Sequence, residues 1–222
     1  MLSRQPNGDT PRPPQRRRTG LTTPRTPTLT GVISSGPAGV PAEFDRALRS
    51  LRAARLRPEV HLVEVPGPGR IAPYTAALTA EVRVPKTDDE LASGRFVVLH
   101  DPAGHEGWDG TFRLVTMARA HLEADLGADD LLAEVAWTWF DDALADAGVV
   151  PHAAGGTVTR VLSRSFGSLA DRPAEVEVEI RASWTALDGD LAPHLQAWAV
   201  LLCQTAGLPP VPPGVTVMGS RR

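Results

Sequence analysis

Cysteine, lysine and tyrosine each occur once in the 222 residues, as Cys203, Lys86 and Tyr74. A single cysteine excludes an internal disulfide framework and any zinc site built from several thiolates. No run comes near the ~18 consecutive apolar residues of a membrane-spanning helix, so no integral membrane protein is expected. Several catalytic signatures are missing as well: no Gly-x-Ser-x-Gly elbow, no phosphate-cradling glycine loop and no His-Glu-x-x-His pair occurs. Gly67-Pro68-Gly69-Arg70-Ile71-Ala72 imitates the start of a dinucleotide fingerprint. Pro66, Pro68 and Pro73 prevent the helix whose N-terminus would receive the pyrophosphate, which excludes that reading. Hydrophobic residues at 42% and charged residues at 22% fit a globular chain, and the length favours one domain.

Charge is unevenly placed. The formal net charge is -3, yet residues 1–40 hold six arginines against Asp9 alone. The remainder carries 17 basic and 25 acidic residues, so a basic arm precedes an acidic body. Such an arm permits binding to nucleic acid or an acidic surface without requiring it. Nearly every base is arginine, and alanine, glycine and proline are abundant, a skew that GC-rich coding also produces.

Residues 1–41 read as a disordered basic tail rich in Pro, Thr and Arg, because sparse apolar residues cannot offset the entropy of ordering. No apolar stretch follows Arg16-Arg17-Arg18, so no export signal is read there and a cytoplasmic location is expected. Residues 209–222, opened by Pro209-Pro210-Val211-Pro212-Pro213, form a second tail. Residues 42–208 form the predicted domain.

Within it, Phe44, Ala47, Leu48, Leu51 and Ala54 recur at helical spacing to about Leu56, where Pro58 follows. Strands are expected at residues 60–65, at 74–84 with strict apolar alternation, at 95–100 and at 112–122. Leu132, Val135, Ala136, Trp139, Phe140 and Ala143 stripe a helix over residues 130–147. Strands at 157–166 and 175–184 precede a last helix, residues 190–206, apolar almost all round and therefore buried. The order is α-β-β-β-β-α-β-β-α. Short connections favour antiparallel pairing, so the fold is α+β: a mostly antiparallel sheet of about six strands with three helices packed on it.

Chemistry concentrates between His100 and Gly110. His100, Asp101, His105, Glu106 and Asp109 could converge on a divalent cation that polarises a hydrolytic water. The same residues also serve plain turn chemistry, with Asp101 and Asp109 capping turns and Trp108 covering the sheet. Arg46, Arg49, Arg52 and Arg55 follow at three-residue intervals on the first helix. With Arg16, Arg17 and Arg18 they could contact phosphates, although no aromatics interleave with them and a solvated helix face explains them too. Cys203 lies mid-helix among Val200, Leu201 and Leu202, where an inert buried thiol is expected.

Four stretches carry a resemblance: residues 50–60, His100-Asp101-Pro102, residues 108–116 beginning Trp108-Asp109-Gly110, and Ile180-Arg181-Ala182-Ser183-Trp184-Thr185. They resemble an actinobacterial family of unknown function, catalogued as domain of unknown function three thousand, over about residues 44–214. The resemblance implies no activity and no catalytic residue. It supports His100, Asp101, Trp108 and Asp109 as a shared feature, and the family's usual gene neighbour, a ribonuclease D-like protein, implies a link to RNA or an RNA-processing enzyme. The element order is also similar to type III secretion chaperone-like domains, which bind protein segments.

These readings converge on a cytoplasmic, non-catalytic binding or adaptor protein without cofactor, engaging a protein partner through an exposed sheet face or edge. An RNA-associated accessory protein using the arginines is the second expectation, and a metal-dependent hydrolase at the His100–Asp109 loop the third. The oligomeric state is not legible in the sequence.

Overall fold

The computed structural model describes residues 34–35, 39–84, 89–122 and 129–210. Most of the 1–41 tail and residues 211–222, including Arg16, Arg17 and Arg18, lie outside the described residues. One antiparallel sheet organises the rest. Its strands are β1 (Ser34–Ser35), β2 (Val60–Val65), β3 (Tyr74–Arg83), β4 (Glu90–His105), β5 (Gly110–Leu122), β6 (His152–Ser163) and β7 (Glu175–Ala186). The helices are α1 (Ala42–Ala53), α2 (Leu132–Asp146) and α3 (Ala192–Thr205). The expected α+β order holds from α1 onward. It is preceded by β1, which pairs with Tyr74 and Thr75 of β3 inside the segment read as a tail.

Across the sheet the order is β2, β3, β4, β5, β7, β6, with β1 beside the start of β3. The chain therefore leaves β5, crosses through α2 to the outer strand β6, and returns to lay β7 between β5 and β6. All three helices sit on one face. There Tyr74, Ala76, Leu78, Ala80 and Val82 of β3 alternate inward, as do Phe96 and Val98, Phe112 and Leu114, and Val178, Ile180 and Trp184. Helix α3 crosses β4 and β5 and touches both other helices, which explains its burial nearly all round. Its closest approach is over Gly94. An added Cβ there would lie 2.8 Å from the Trp198 ring and 2.5 Å from the Met117 carbonyl oxygen. That same carbonyl accepts the Trp198 Nε1–H at 3.2 Å. Gly148 and Gly207, at φ 69° and 71°, close α2 and α3 in the left-handed conformation expected at helix ends.

Several boundaries differ from expectation, among them the start of β4 at Glu90 and the end of β6 at Ser163. Helix α1 stops at Ala53, because Ala54 turns extended and its N–H closes on Leu51 O. Proline at 58 disfavours helical backbone at Arg57, and Arg57 is tied instead to Glu59 and to Pro209 O. Strand β4 runs to His105 instead of ending at His100, continuing past an irregularity in its pairing with β5. Strand β6 begins at His152, five residues before the expected start, because β7 provides a ladder that reaches His152 through a bulge.

Candidate functional site on the open sheet face

The five candidate metal ligands do not gather. His100 shares the inward parity of Phe96 and Val98 and is fully buried. Its ring stacks between Phe112 and Phe44, with centroids 4.1 and 5.6 Å away. Nδ1 lies 3.1 Å from Thr111 O and therefore carries the proton, leaving Nε2 a buried lone pair without a partner. Burial pushes the imidazole below its ordinary pKa, against weaker pulls from Thr111 O, Glu43 and Asp101. Asp101 closes a local turn by accepting Ala103 N–H at 3.0 Å. His105 accepts Gly107 N–H and stacks on Trp108 at 4.5 Å. Glu106 is exposed. Asp109, at φ 53°, meets His152 Nε2 at 2.6 Å. Among the described residues no group of three or more His, Cys, Asp and Glu is placed to hold a metal ion. Asp101 serves a local turn, whereas His100 is a core residue and the Asp109 carboxylate turns to β6. Trp108 packs on Ala77, Val97 and Leu99, the sheet face opposite the helices.

Arg46, Arg49 and Arg52 are exposed on α1, each about 60° round the helix from the one before, and exposed Arg55 lies just beyond the helix end. Arg49 is paired with Asp45 one turn earlier.

A different constellation emerges from the register of the sheet. On the face away from the helices, Arg95, Met117, Arg181 and Thr157 form one row across β4, β5, β7 and β6. The next row is Val97, Val115, Ser183 and Gly155. Beyond it stand Leu99, Arg113, Thr185 and the start of β6. No described α-helix covers these rows, though Trp108 caps Val97 and Leu99 and its carbonyl accepts a hydrogen bond from the Thr185 hydroxyl. They enclose a shallow groove of about 350 Å³ with an apolar floor of Val97, Val115 and Met117. Arg95 and Arg181 stand on one side of that floor, and no acidic residue lines it.

Arg113 marks the other side. Its NH1 donates to Ala153 O at 2.9 Å and to Thr185 Oγ1 at 3.2 Å. NH2 donates to Ser183 Oγ at 2.7 Å and to Ser183 O at 3.3 Å. Every acceptor is neutral. Burial, uncompensated by an anion, pulls the guanidinium below its usual pKa. Arg181, by contrast, is matched by Glu179 at 2.7 Å, and Arg119 by Glu177 at 3.8 Å. Arg95 is exposed and donates to Pro66 O at 3.4 Å.

Arg113 also fixes the entry of β6. The bulge between His152 and Gly155 holds Ala153 at φ 47°, a left-handed conformation an alanine adopts only under constraint. Arg113 binds its carbonyl, and Asp109 binds His152 just before it. Past the bulge β6 runs to Ser163 almost wholly exposed, pairing with β7 on one side and, among the described residues, with no strand on the other. Val161 and Leu162 are 48% and 54% exposed, and Phe166 just beyond is 77% exposed.

The arginines of this face were readable as alternation in single strands, Arg113-x-Val115-x-Met117 and Glu179-x-Arg181-x-Ser183. Their juxtaposition was not, because it depends on β7 lying beside β5 across more than fifty intervening residues.

Residues 40–216 match the family described as Protein of unknown function (DUF3000), and the chain belongs to that family. No curated protein matches it. No solved structure does either. No described helix is long and apolar enough to cross a membrane.

Proposed function

We propose that this chain is a cytoplasmic, non-catalytic adaptor that receives an extended segment of a partner protein along the outer side of β6. One observation carries the reading: β6 is a twelve-residue edge strand, exposed over most of its length, with no strand on its outer side among the described residues. An outer edge presents a row of N–H and C=O groups that another chain can pair, each bond contributing about 0.5–1.5 kcal/mol net. Edges are commonly blunted by shortness, charge, proline or a bulge; past the bulge that ends at Gly155, β6 carries no lysine or proline and a single charge, Arg160. Exposed Val161, Leu162 and Phe166 add apolar surface at its far end. The element order, similar to that of type III secretion chaperone-like domains, supports segment binding by analogy. Protein is favoured over RNA because arginines on the open face alternate with Glu81, Glu177 and Glu179 instead of forming a basic strip.

The test is affinity capture by the full-length chain from a lysate of its source organism, with nuclease, beside two variants, Val158→Pro and Thr159→Pro. Neighbouring residues of an antiparallel edge alternate between facing the partner strand and facing outward. One proline therefore removes an inner ladder bond and lowers the melting temperature, while the other alters only the outer edge. A protein retained by the parent and lost with the outer-edge variant, at unchanged stability, supports the proposal. Retention by both folded variants, or loss of all partners on nuclease treatment, overturns it.

A further inference from the structure

Resting on that edge reading, we infer that the segment received by β6 is acidic, and that one of its carboxylates lies over Gly155 to meet the Arg113 guanidinium. Three observations lead there independently of one another. The first is space: a Cβ built on Gly155 meets no atom within 4 Å, so the open-face side of β6 has a gap at this position. The second is place: Gly155 is the register partner of Ser183, the residue whose hydroxyl and carbonyl hold Arg113 NH2. Arg113 NH1 reaches further, to Ala153 O on β6 itself, so the cationic head lies at the edge although its backbone is two strands inside. The third is charge: Arg113 has only neutral acceptors, and no Asp or Glu lines the adjoining groove.

A strand added to β6 would run ~4.8 Å beyond it, with every second side chain on the open face. The residue opposite Gly155 finds no side chain in its way. A glutamate there reaches over the glycine toward the Arg113 head, which Ala153 O holds on β6, and forms a charge-assisted hydrogen bond to a partly desolvated cation. A lysine in the same position would face Arg113 across the gap and be rejected. Apolar residues two and six positions away along the segment keep to the same face and border Thr157 and Val161. The expected consensus is therefore one acidic residue within an alternating apolar pattern.

The test is selection of a random decapeptide display library on the full-length chain, followed by fluorescence polarisation with a selected peptide and its Glu→Lys counterpart. The main variant is Gly155→Leu, which fills the gap and whose Cβ meets no atom within 4 Å; its melting temperature is measured beside the parent's. A second is Arg113→Lys, which keeps the charge but not the fork that holds Ala153. An acidic consensus, with affinity lowered about tenfold or more by Gly155→Leu and by Glu→Lys, supports the inference. Peptides selected without acidic preference, or bound equally by folded Gly155→Leu, overturn it while leaving β6 as a binding edge. No selectable peptide at all, or binders indifferent to the outer-edge proline, overturns both readings. In Arg113→Lys the acidic preference persists with weaker binding; an unchanged affinity would show that the fork is not the receptor.

Discussion

Gly94 offers a sharp test of how α3 is seated. A methyl group at this position would stand 2.5 Å from Met117 O and 2.8 Å from both Trp198 Cζ2 and Leu202 Cδ2. None of the three can yield freely. Met117 is paired on both sides, with Arg95 of β4 and Arg181 of β7, so its carbonyl cannot retreat without disturbing two ladders. Trp198 is anchored to that same carbonyl through Nε1, and Leu202 is fully buried in the core. Gly94→Ala therefore lifts α3 from the sheet. Overpacking of this kind costs ~1–3 kcal/mol, offset by ~0.5–1 kcal/mol from the reduced freedom of the unfolded chain. With three unyielding neighbours under 3 Å the upper half of that cost applies, so the net loss is about 1–2.5 kcal/mol, a melting temperature lower by roughly 2–10 °C for a domain of this size. Urea denaturation followed by tryptophan fluorescence measures it directly. The paired control is Gly155→Ala, where open space predicts no loss or a gain of up to about 1 kcal/mol. A Gly94→Ala protein as stable as the parent would show that close packing of Trp198 on β4 does not hold α3 in place.

Two further outcomes follow from buried titratable groups. His194 Nδ1 accepts the Trp184 indole N–H at 2.9 Å, so protonating it forfeits that bond, and burial holds both His194 and His100 below the ordinary histidine pKa of 6.5. Below about pH 6.5 the unfolded chain takes up protons that the folded chain refuses. Stability is therefore complete above that value and declines as pH falls toward the folded-state pKa values, by at most ~1.4 kcal/mol per pH unit for each histidine. Urea midpoints at pH 7.5 and 5.5 would test this, and equal midpoints would refute it. Cys203 is buried, and desolvation pushes its thiol up to about 11. A thiol reagent at pH 8 should label it rapidly only in denaturant; prompt labelling of the native protein would contradict its burial.

What the sequence disclosed was local. Strict alternation from Tyr74 to Val82 marked β3 as a half-buried strand, and the stripe through Leu132, Ala136 and Phe140 marked α2. The start of β6 was hidden because Ala153, Ala154, Gly155 and Gly156 have little intrinsic strand preference. Only the ladder offered by β7 makes them a strand. His100 shows the opposite failure. It looked like a ligand because polar neighbours follow it, whereas its parity with Phe96 and Val98 already pointed it inward. The candidate site was least legible of all: Arg113 and Gly155 lie forty-two positions apart, and their meeting depends on pairing that no periodicity encodes.

The insertion of β7 between β5 and β6 also dictates an order of events during synthesis. A ribosome delivers β2 through β5 as a self-sufficient meander of neighbouring strands, each paired with the one just made. Thirteen-residue β5, carrying Phe112, Leu114 and the hydrophobic seat of α3, must then wait as an open margin. Neither α2 nor β6 relieves it, since neither pairs with it. Relief comes only when Glu175–Ala186 has emerged and threaded into the centre of the sheet. Until then the nascent chain exposes an apolar strand edge of the kind that templates aggregation or recruits holding chaperones. The last third of the polypeptide completes the middle of the molecule, so a truncated product would fail at its centre, not at its rim.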